Sequence, residues 1–373
     1  VPSGTTFDYA VVGGGIVGAA VAYGLAKAGE EVALLDEGDI AFRAARGNFG
    51  NVWVQGKGAN APAYADLTRE AANDWAAFAE ELQSRTGIDL HFRRPGAFYL
   101  CFSEEELHRR AAVMAAIEDR SAIPSPFEVL DHDALACRLP EIGPDIAGAT
   151  YSAADGTANP LLLLRALIAG LRALGGRYLP SRPAQAVRAE GAGFVIDTPG
   201  GPIGCANVVL AAGLGNAELA PRLGMQATVR PVRGQIMVTE KVRPFLNFGT
   251  NFIRQTIEGG CIFGESSEEA GMDDATTLPV LRETARRAAL AFPLLRDVRV
   301  VRSWGALRIM TRDGIPVYQQ APAHPGAFVL SVHSGVTLAP FHAGGMAQAI
   351  RSRHLDPARF QPFSPDRFHV QTP

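Results

Sequence analysis

The chain has 373 residues, enough for two domains or one large one, and a formal net charge of −3 at pH 7. Apolar residues make up 47% and charged residues 20%, the composition of a globular protein with a sizeable core. No basic run or tail is present, so nucleic acid and an anionic membrane are poor candidates for the main partner.

Residues 9–28 are mostly apolar, but early glycines interrupt them and no basic flank precedes them, which argues against a membrane span. They read instead as a strand over 9–12, a glycine turn and a helix over 16–28 that ends at Gly29. A second buried strand covers 31–35, giving a βαβ start with parallel strands. Helical spacing recurs over 61–83, an alternating strand over 97–102, and Ser103 opens "SEEE", a capping box before a helix to about 119. In "DGTANP" a turn falls at Asp155-Gly156, Asn159 is the N-cap and Pro160 the first helical residue, with the helix running to Gly175. A hairpin is predicted over 184–190 and 193–198, and then "ANVVLAAGLGNAEL" repeats strand, glycine turn and helix. Strands between 227 and 264, a helix over 275–291, the strand bearing "SWGALRIM", and a last strand, glycine turn and helix start in "GAFVLSVHSGVTLAP" complete the chain. Parallel-type βα pieces at the start, middle and end, with antiparallel-type strands between them, predict a nucleotide-binding domain interrupted by a second domain.

"VVGGGIVG" contains Gly13-x-Gly15-x-x-Gly18 after a strand and at the opening of a helix. Gly13 permits the tight turn, Gly15 lets a pyrophosphate approach the helix N-terminus, and Gly18 allows close helix–strand packing. Asp36 ends the second strand, where a carboxylate accepts hydrogen bonds from a ribose diol and repels a ribose phosphate, so dinucleotide binding is predicted. The motif does not choose between NAD and FAD. "HSGVTLAP" sets the N–H groups of Gly335, Val336 and Thr337 at a helix start that suits negative charge on a reduced isoalloxazine ring, whereas alone it reads equally as a plain βα turn. Arg308 stands among Trp304, Leu307, Ile309 and Met310, and such a guanidinium needs an anionic partner or a route to water. Cys101, Cys137, Cys205 and Cys261 are dispersed, which predicts reduced thiols in a cytoplasmic protein rather than a zinc site, an iron–sulfur site or a disulfide framework.

"VVGGGIVG", "VALLDEGD", "DGTANP", "VVLAAG", "VRPVRGQIMV", "WGALRIMTRDGIPV" and "HSGVTLAP" occur together. With these pieces the chain resembles, over nearly its whole length, the FAD-dependent amino-acid oxidoreductases that include glycine oxidase, sarcosine oxidase and D-amino-acid dehydrogenase. "RGNFGNVWVQGKG" (46–58) resembles a narrower group, the flavin-bearing β subunits of hetero-oligomeric opine, D-hydroxyproline and hydrogen cyanide-forming dehydrogenases. The resemblance implies an α/β fold: a Rossmann-like FAD-binding domain over 1–86, 145–225 and 322–373, interrupted by an α+β substrate domain over 87–144 and 226–321 with a mixed, largely antiparallel sheet.

It also implies that Arg308 clamps a substrate carboxylate, although "GAL" stands where the family has "AGL" and Ile309 replaces a common proline. His333, before the glycine turn, is a candidate for contact with flavin or substrate, the alternative being a structural role; His342 on the following helix is a weaker one. The cofactor-binding candidates are Gly13, Gly15, Ile16, Val17 and Gly18 at the turn, Asp36 and Glu37 after the second strand, and Arg43, Arg46, Gly47 and Asn48 in the next loop. They continue with Val187, with Ala212 and Gly213, with Gly305 and Arg308, and with Ser334, Gly335, Val336 and Thr337. The loop "AFRAARGNFG" lacks the family's Ser or Thr, so Arg43 or Arg46 takes the phosphate contact or points to solvent. Lys57 reads as a residue near the flavin, at an interface with a partner, or in a solvated loop.

FAD is expected to be non-covalent, since no cysteine lies in "MTRDGIPVY" or near "HSGVT". The implied reaction is oxidation of the C–N bond of a secondary or D-amino acid, such as octopine, nopaline or D-hydroxyproline, by the catalytic β subunit of a complex with α and γ subunits. FMN or an iron–sulfur cluster, where one takes part, would be held with those partners, through which alone the chain would reach the inner membrane. A stand-alone oxidase using oxygen and a non-catalytic flavin relay are the alternatives; Arg308 argues against the relay, which needs no carboxylate clamp.

Overall fold

The computed structural model describes residues 6–38, 44–45 and 47–368. Its largest sheet has eight strands. Thr6–Val12 lies at the centre, parallel to Ile203–Leu210 on one side and to Val32–Leu35 on the other. Ala327–Ser331 extends the parallel set beyond Ile203–Leu210, and Arg177–Leu179 extends it beyond Val32–Leu35. The three βα pieces predicted from the start, middle and end of the chain are therefore neighbours in one sheet. The near-continuous apolar runs of these strands follow from helices covering the sheet. Ile16–Lys27 packs against Pro160–Ala173, and the core between them is built on Tyr23, Leu25, Trp75, Leu164 and Leu167. Gly170 permits this closeness, since a Cβ on it would lie 2.8 Å from Tyr23 Cε2, and Gly24 lets the same helix approach another segment, where a Cβ would lie 2.2 Å from the Ala343 carbonyl oxygen. The stretch read as strand, turn and helix, rather than as a membrane span, is that in the structure.

Two four-stranded sheets carry the rest. Arg230–Lys241 pairs antiparallel with Gly260–Phe263 and with the long strand Val300–Met310, and Ile253–Gln255 flanks Gly260–Phe263. Ala97–Cys101, Gly148–Ser152, Phe127–Asp131 and Gly249–Thr250 form the other, which packs with the first around Phe98, Phe252, Phe263 and Phe292. Gly148–Ser152 pairs with Ala97–Cys101 and Phe127–Asp131, so a boundary at 145 would cut it from its own sheet.

The local signals act as the residues dictate. Ser103 accepts the Glu106 N–H at 3.2 Å, and Asn159 accepts the N–H groups of Leu161 and Leu162. One helix differs: residues 335–338 form a turn, and the helical run after it begins at Ala339 and continues through a π segment, His342–Met346. Glycines in "HAGGM" weaken the regular ladder there. Among the described residues no helix is long and apolar enough to cross a membrane.

Candidate active site

At the first turn Gly13 has φ +108, and its N–H donates to the Leu35 carbonyl at 2.8 Å. A Cβ on Gly18 would lie 1.9 Å from the Gly13 carbonyl oxygen, so these two glycines are required by the turn itself. Gly15 is different. Its backbone is extended, φ −72 and ψ −179, and a Cβ on it would meet nothing within 4 Å. The helix it opens has no side-chain cap and no acidic residue in its first turn. This leaves an open space before an uncapped helix N-terminus, the environment a pyrophosphate needs. Asp36 is held at the end of the second strand, accepting the Gly14 N–H at 2.6 Å and the Gly38 N–H at 3.0 Å. Glu37 follows it in the same turn.

The segment after Ala327–Ser331 crosses the same helix start. A Cβ on Gly335 would lie 3.2 Å from Val17 Cγ2, and Ile16 is buried beneath. Trp75 Nε1 donates to the carbonyls of Val336 and Thr337 at 3.2 and 3.1 Å. Peptide planarity then turns the Thr337 N–H to the opposite side. Among the described residues no backbone carbonyl takes the N–H of Gly335, Val336 or Thr337. Such donors fit an electron-rich ring edge, so the residues present suit a flavin dinucleotide.

A cavity of about 370 Å³ adjoins this segment. Gly47, Asn48, Arg308, His333, Ser334, Val336 and Thr337 all line it, as does Lys57. Lys57 Nζ donates to Ser334 Oγ at 3.0 Å, so the lysine stands on the cavity wall. Its loop is fixed from behind by Asp155, fully buried, which accepts Val54 N–H at 2.5 Å and Gln55 Nε2 at 2.6 Å. Burial pushes the Asp155 carboxyl up to about 7, with these donors opposing.

Arg308 lies across its own sheet. A Cβ on Gly234, in the neighbouring strand, would be 2.5 Å from Arg308 Nη2. Arg308 Nη1 donates to the Ser266 carbonyl at 2.6 Å, and no carboxylate of the described residues forms an ion pair with it. Arg233, beside Gly234, shows the opposite state: Glu268 and Asp273 hold it at 2.8 and 2.6 Å. Burial lowers the Arg308 pKa, with Glu265 opposing. Two other arginines rest on aromatic faces, Arg110 on Tyr99 at 4.2 Å and buried Arg254 on Phe49 at 5.8 Å. His333 is pushed down to about 3 by burial first, then by Lys57 and Arg308, and is neutral at pH 7. His342 is a core residue, its Nε2 2.9 Å from the Tyr318 hydroxyl.

The remaining candidates stand outside the cavity lining. Val187 is buried in the core with Val12, Leu35 and Leu210, against which Ala212 packs. Gly213, at φ +61, faces Ile309, and Gly305 is pressed against the Asp274 carbonyl. Arg43 and Arg46 lie outside the described residues. Sequence reasoning passed over Glu265, Asn251, Tyr99 and Gly234, which line the same cavity as Arg308. Only Gly234 carried a signal, a glycine inside a strand. All four cysteines are free, and none lines the cavity. Among the described residues no group of His, Cys, Asp and Glu could hold a metal ion.

The chain is 40% identical to the B subunit of opine oxidase from Agrobacterium tumefaciens (strain Ach5), covering 98% of both proteins. It is also 40% identical to the corresponding opine oxidase protein of Rhizobium meliloti, again over 98% of each. Among solved structures, glycine oxidase from Geobacillus kaustophilus superposes with a TM-score of 0.89 at 27% identity, covering 99% of this chain and 100% of that one. The FAD dependent oxidoreductase family matches residues 8–349, and with the glycine turn, Asp36 and the cavity wall it identifies the chain as a member of that family, an oxidoreductase whose cofactor is FAD.

Proposed function

We propose that the protein oxidises the C–N bond of a secondary or D-amino acid, an opine such as octopine or nopaline, or D-hydroxyproline, as the catalytic β subunit of a hetero-oligomeric dehydrogenase. The observation that carries this reading is Arg308: a guanidinium in the cavity wall, anchored on a backbone carbonyl, with no carboxylate of the described residues paired to it. A substrate carboxylate is the missing partner. FAD supplies the two-electron acceptor and is held non-covalently. Gly13, Gly15 and Gly18 with Asp36 hold its dinucleotide part, and the N–H groups of Gly335 to Thr337 complement charge at the ring. Arg308 fixes the carboxylate and so orients the α C–H. Neutral His333 shapes the wall without adding charge. The imine product hydrolyses in water, and most of the rate enhancement is positioning.

The similarity to the opine oxidase protein of Agrobacterium tumefaciens supports both the substrate class and the role as one subunit of a complex. The glycine oxidase likeness favours a second reading, a stand-alone oxidase. Anaerobic titration of the flavin band with octopine, nopaline, D-hydroxyproline, D-proline and sarcosine tests the substrate class. Bleaching by one of them is expected; a flavin that all of them leave oxidised, in protein purified with its partners, contradicts it. Other chains copurifying at fixed stoichiometry separate the member of a complex from the stand-alone enzyme.

A further inference from the structure

Glu265 lines the same cavity as Arg308. Its backbone has φ +85, in the left-handed region that a glutamate rarely adopts, and its neighbour Ser266 supplies the carbonyl that anchors Arg308. Positions of this kind persist where their surroundings fix them, and they cluster at ligand sites. The side chain keeps 31% of its surface accessible, so protein surrounds it without closing it off. Oε2 stands 3.4 Å from Arg287 Nη1, and Arg287 is itself seated over the Phe102 and Phe252 rings at 5.0 and 4.7 Å. Asn251, also in the wall, has Oδ1 fixed by the Leu100 N–H at 3.0 Å. Its buried Nδ2 lies near enough to Glu265 to favour the carboxylate, yet has no partner in full hydrogen-bonding geometry. Among the described residues, the cavity thus presents a guanidinium lacking a carboxylate and a carboxylate whose one ion pair is long.

We propose that Glu265 receives a cationic nitrogen of the substrate while Arg308 holds its carboxylate, so that the site selects amino-carboxylates over plain carboxylates. This rests on the carboxylate-clamp reading of Arg308. Enclosure by protein raises the Glu265 carboxyl, with Arg287, Asn251 and Arg308 opposing, which is the state of an acid awaiting a further positive charge. The nitrogen is either the amine of the reacting C–N bond or a guanidinium elsewhere in the ligand, and the two are separable.

The test uses the FAD-loaded protein in its complex. Half-saturating concentrations for anaerobic flavin reduction are measured with sarcosine and octopine, and propionate is measured as a competitor. Glu265→Gln is expected to raise the half-saturating concentration about tenfold or more. Propionate inhibition should stay unchanged or tighten, and Glu265→Asp should recover part of the loss. Weakening of both substrates assigns the reacting amine; weakening of octopine alone assigns its guanidinium. Unchanged values for both, or an equal loss for propionate, overturn the proposal. Glu265→Asn, more tolerant of the left-handed backbone, replaces the Gln variant if that one does not fold. Loss of propionate inhibition in Arg308→Leu, with no effect of Glu265→Gln, leaves the clamp standing and removes only this inference. Wild-type protein that binds none of the three ligands removes both.

Discussion

Arg233 and Arg308 sit on adjacent strands and differ in what meets their charge. Arg233 has two carboxylates, whereas Arg308 has a backbone carbonyl and an open cavity. A guanidinium can present two parallel donors to a carboxylate, which an ammonium cannot. Arg308→Lys should therefore keep FAD bound yet lower the rate of substrate-driven flavin reduction at low substrate by about tenfold to a hundredfold; stopped-flow absorbance measures it. Gly15 offers a second contrast with Gly18. In Gly15→Val the Cβ meets nothing within 4 Å and the backbone is an ordinary extended one, so the apoprotein should melt at an unchanged temperature while FAD affinity falls about tenfold or more, because the side chain fills the space before the helix. Gly18→Val overlaps backbone and should lower the melting temperature as well. Equal effects of the two on melting would contradict the assignment of the space. Both glycines were legible in the sequence as one motif, which assigned ligand approach to Gly15 and close packing to Gly18; what a Cβ would meet at each position comes only from the fold.

At the scale of elements, the glycine turn, the capped helices and the hairpin followed from local chemistry and are in the structure. Asp155 did not declare itself. In the sequence it belongs to a turn; in the fold it fixes Val54 and Gln55, about a hundred residues away, and through them the loop that carries Lys57. Asp155→Asn leaves these donors facing an amide with one acceptor oxygen, and the expected loss is about 1–3 kcal/mol of stability; chemical denaturation checks it. The helical run at Ala339 was placed at the right segment but four residues early, because the turn residues 335–338 resemble a helix start in sequence. Within that run His342 is buried neutral, its pKa pushed from 6.5 down to about 3. The unfolded chain takes up a proton below 6.5 that the folded one refuses, so this residue makes stability rise with pH between about 3 and 6.5 and is silent above. His342→Gln should flatten the acid side of the stability curve, by at most about 1.4 kcal/mol per pH unit, measured as denaturation midpoints from pH 4 to 8. An unchanged slope would contradict neutral burial.

At the scale of the whole molecule, the sequence order of βα pieces carried the central sheet, because parallel neighbours must be joined by crossovers. The cavity was beyond its reach. Its wall is assembled from the segments around 47–57, 99, 234–236, 251, 265, 306–309 and 333–337, and no local pattern ties Glu265, in a loop, to Arg308, on a strand about forty residues later. Arg308 was singled out because a charge among apolar neighbours needs an explanation and because the family resemblance implies a carboxylate clamp there.

The central claim is that Arg308 is a carboxylate receptor in a flavin site. Its most direct test is Arg308→Leu under anaerobic conditions, with the flavin band read before and after addition of the amino acid that bleaches the wild type. The account predicts a normal bound-flavin spectrum and reduction slowed by about a hundredfold or more. Reduction at the wild-type rate and half-saturation would contradict it.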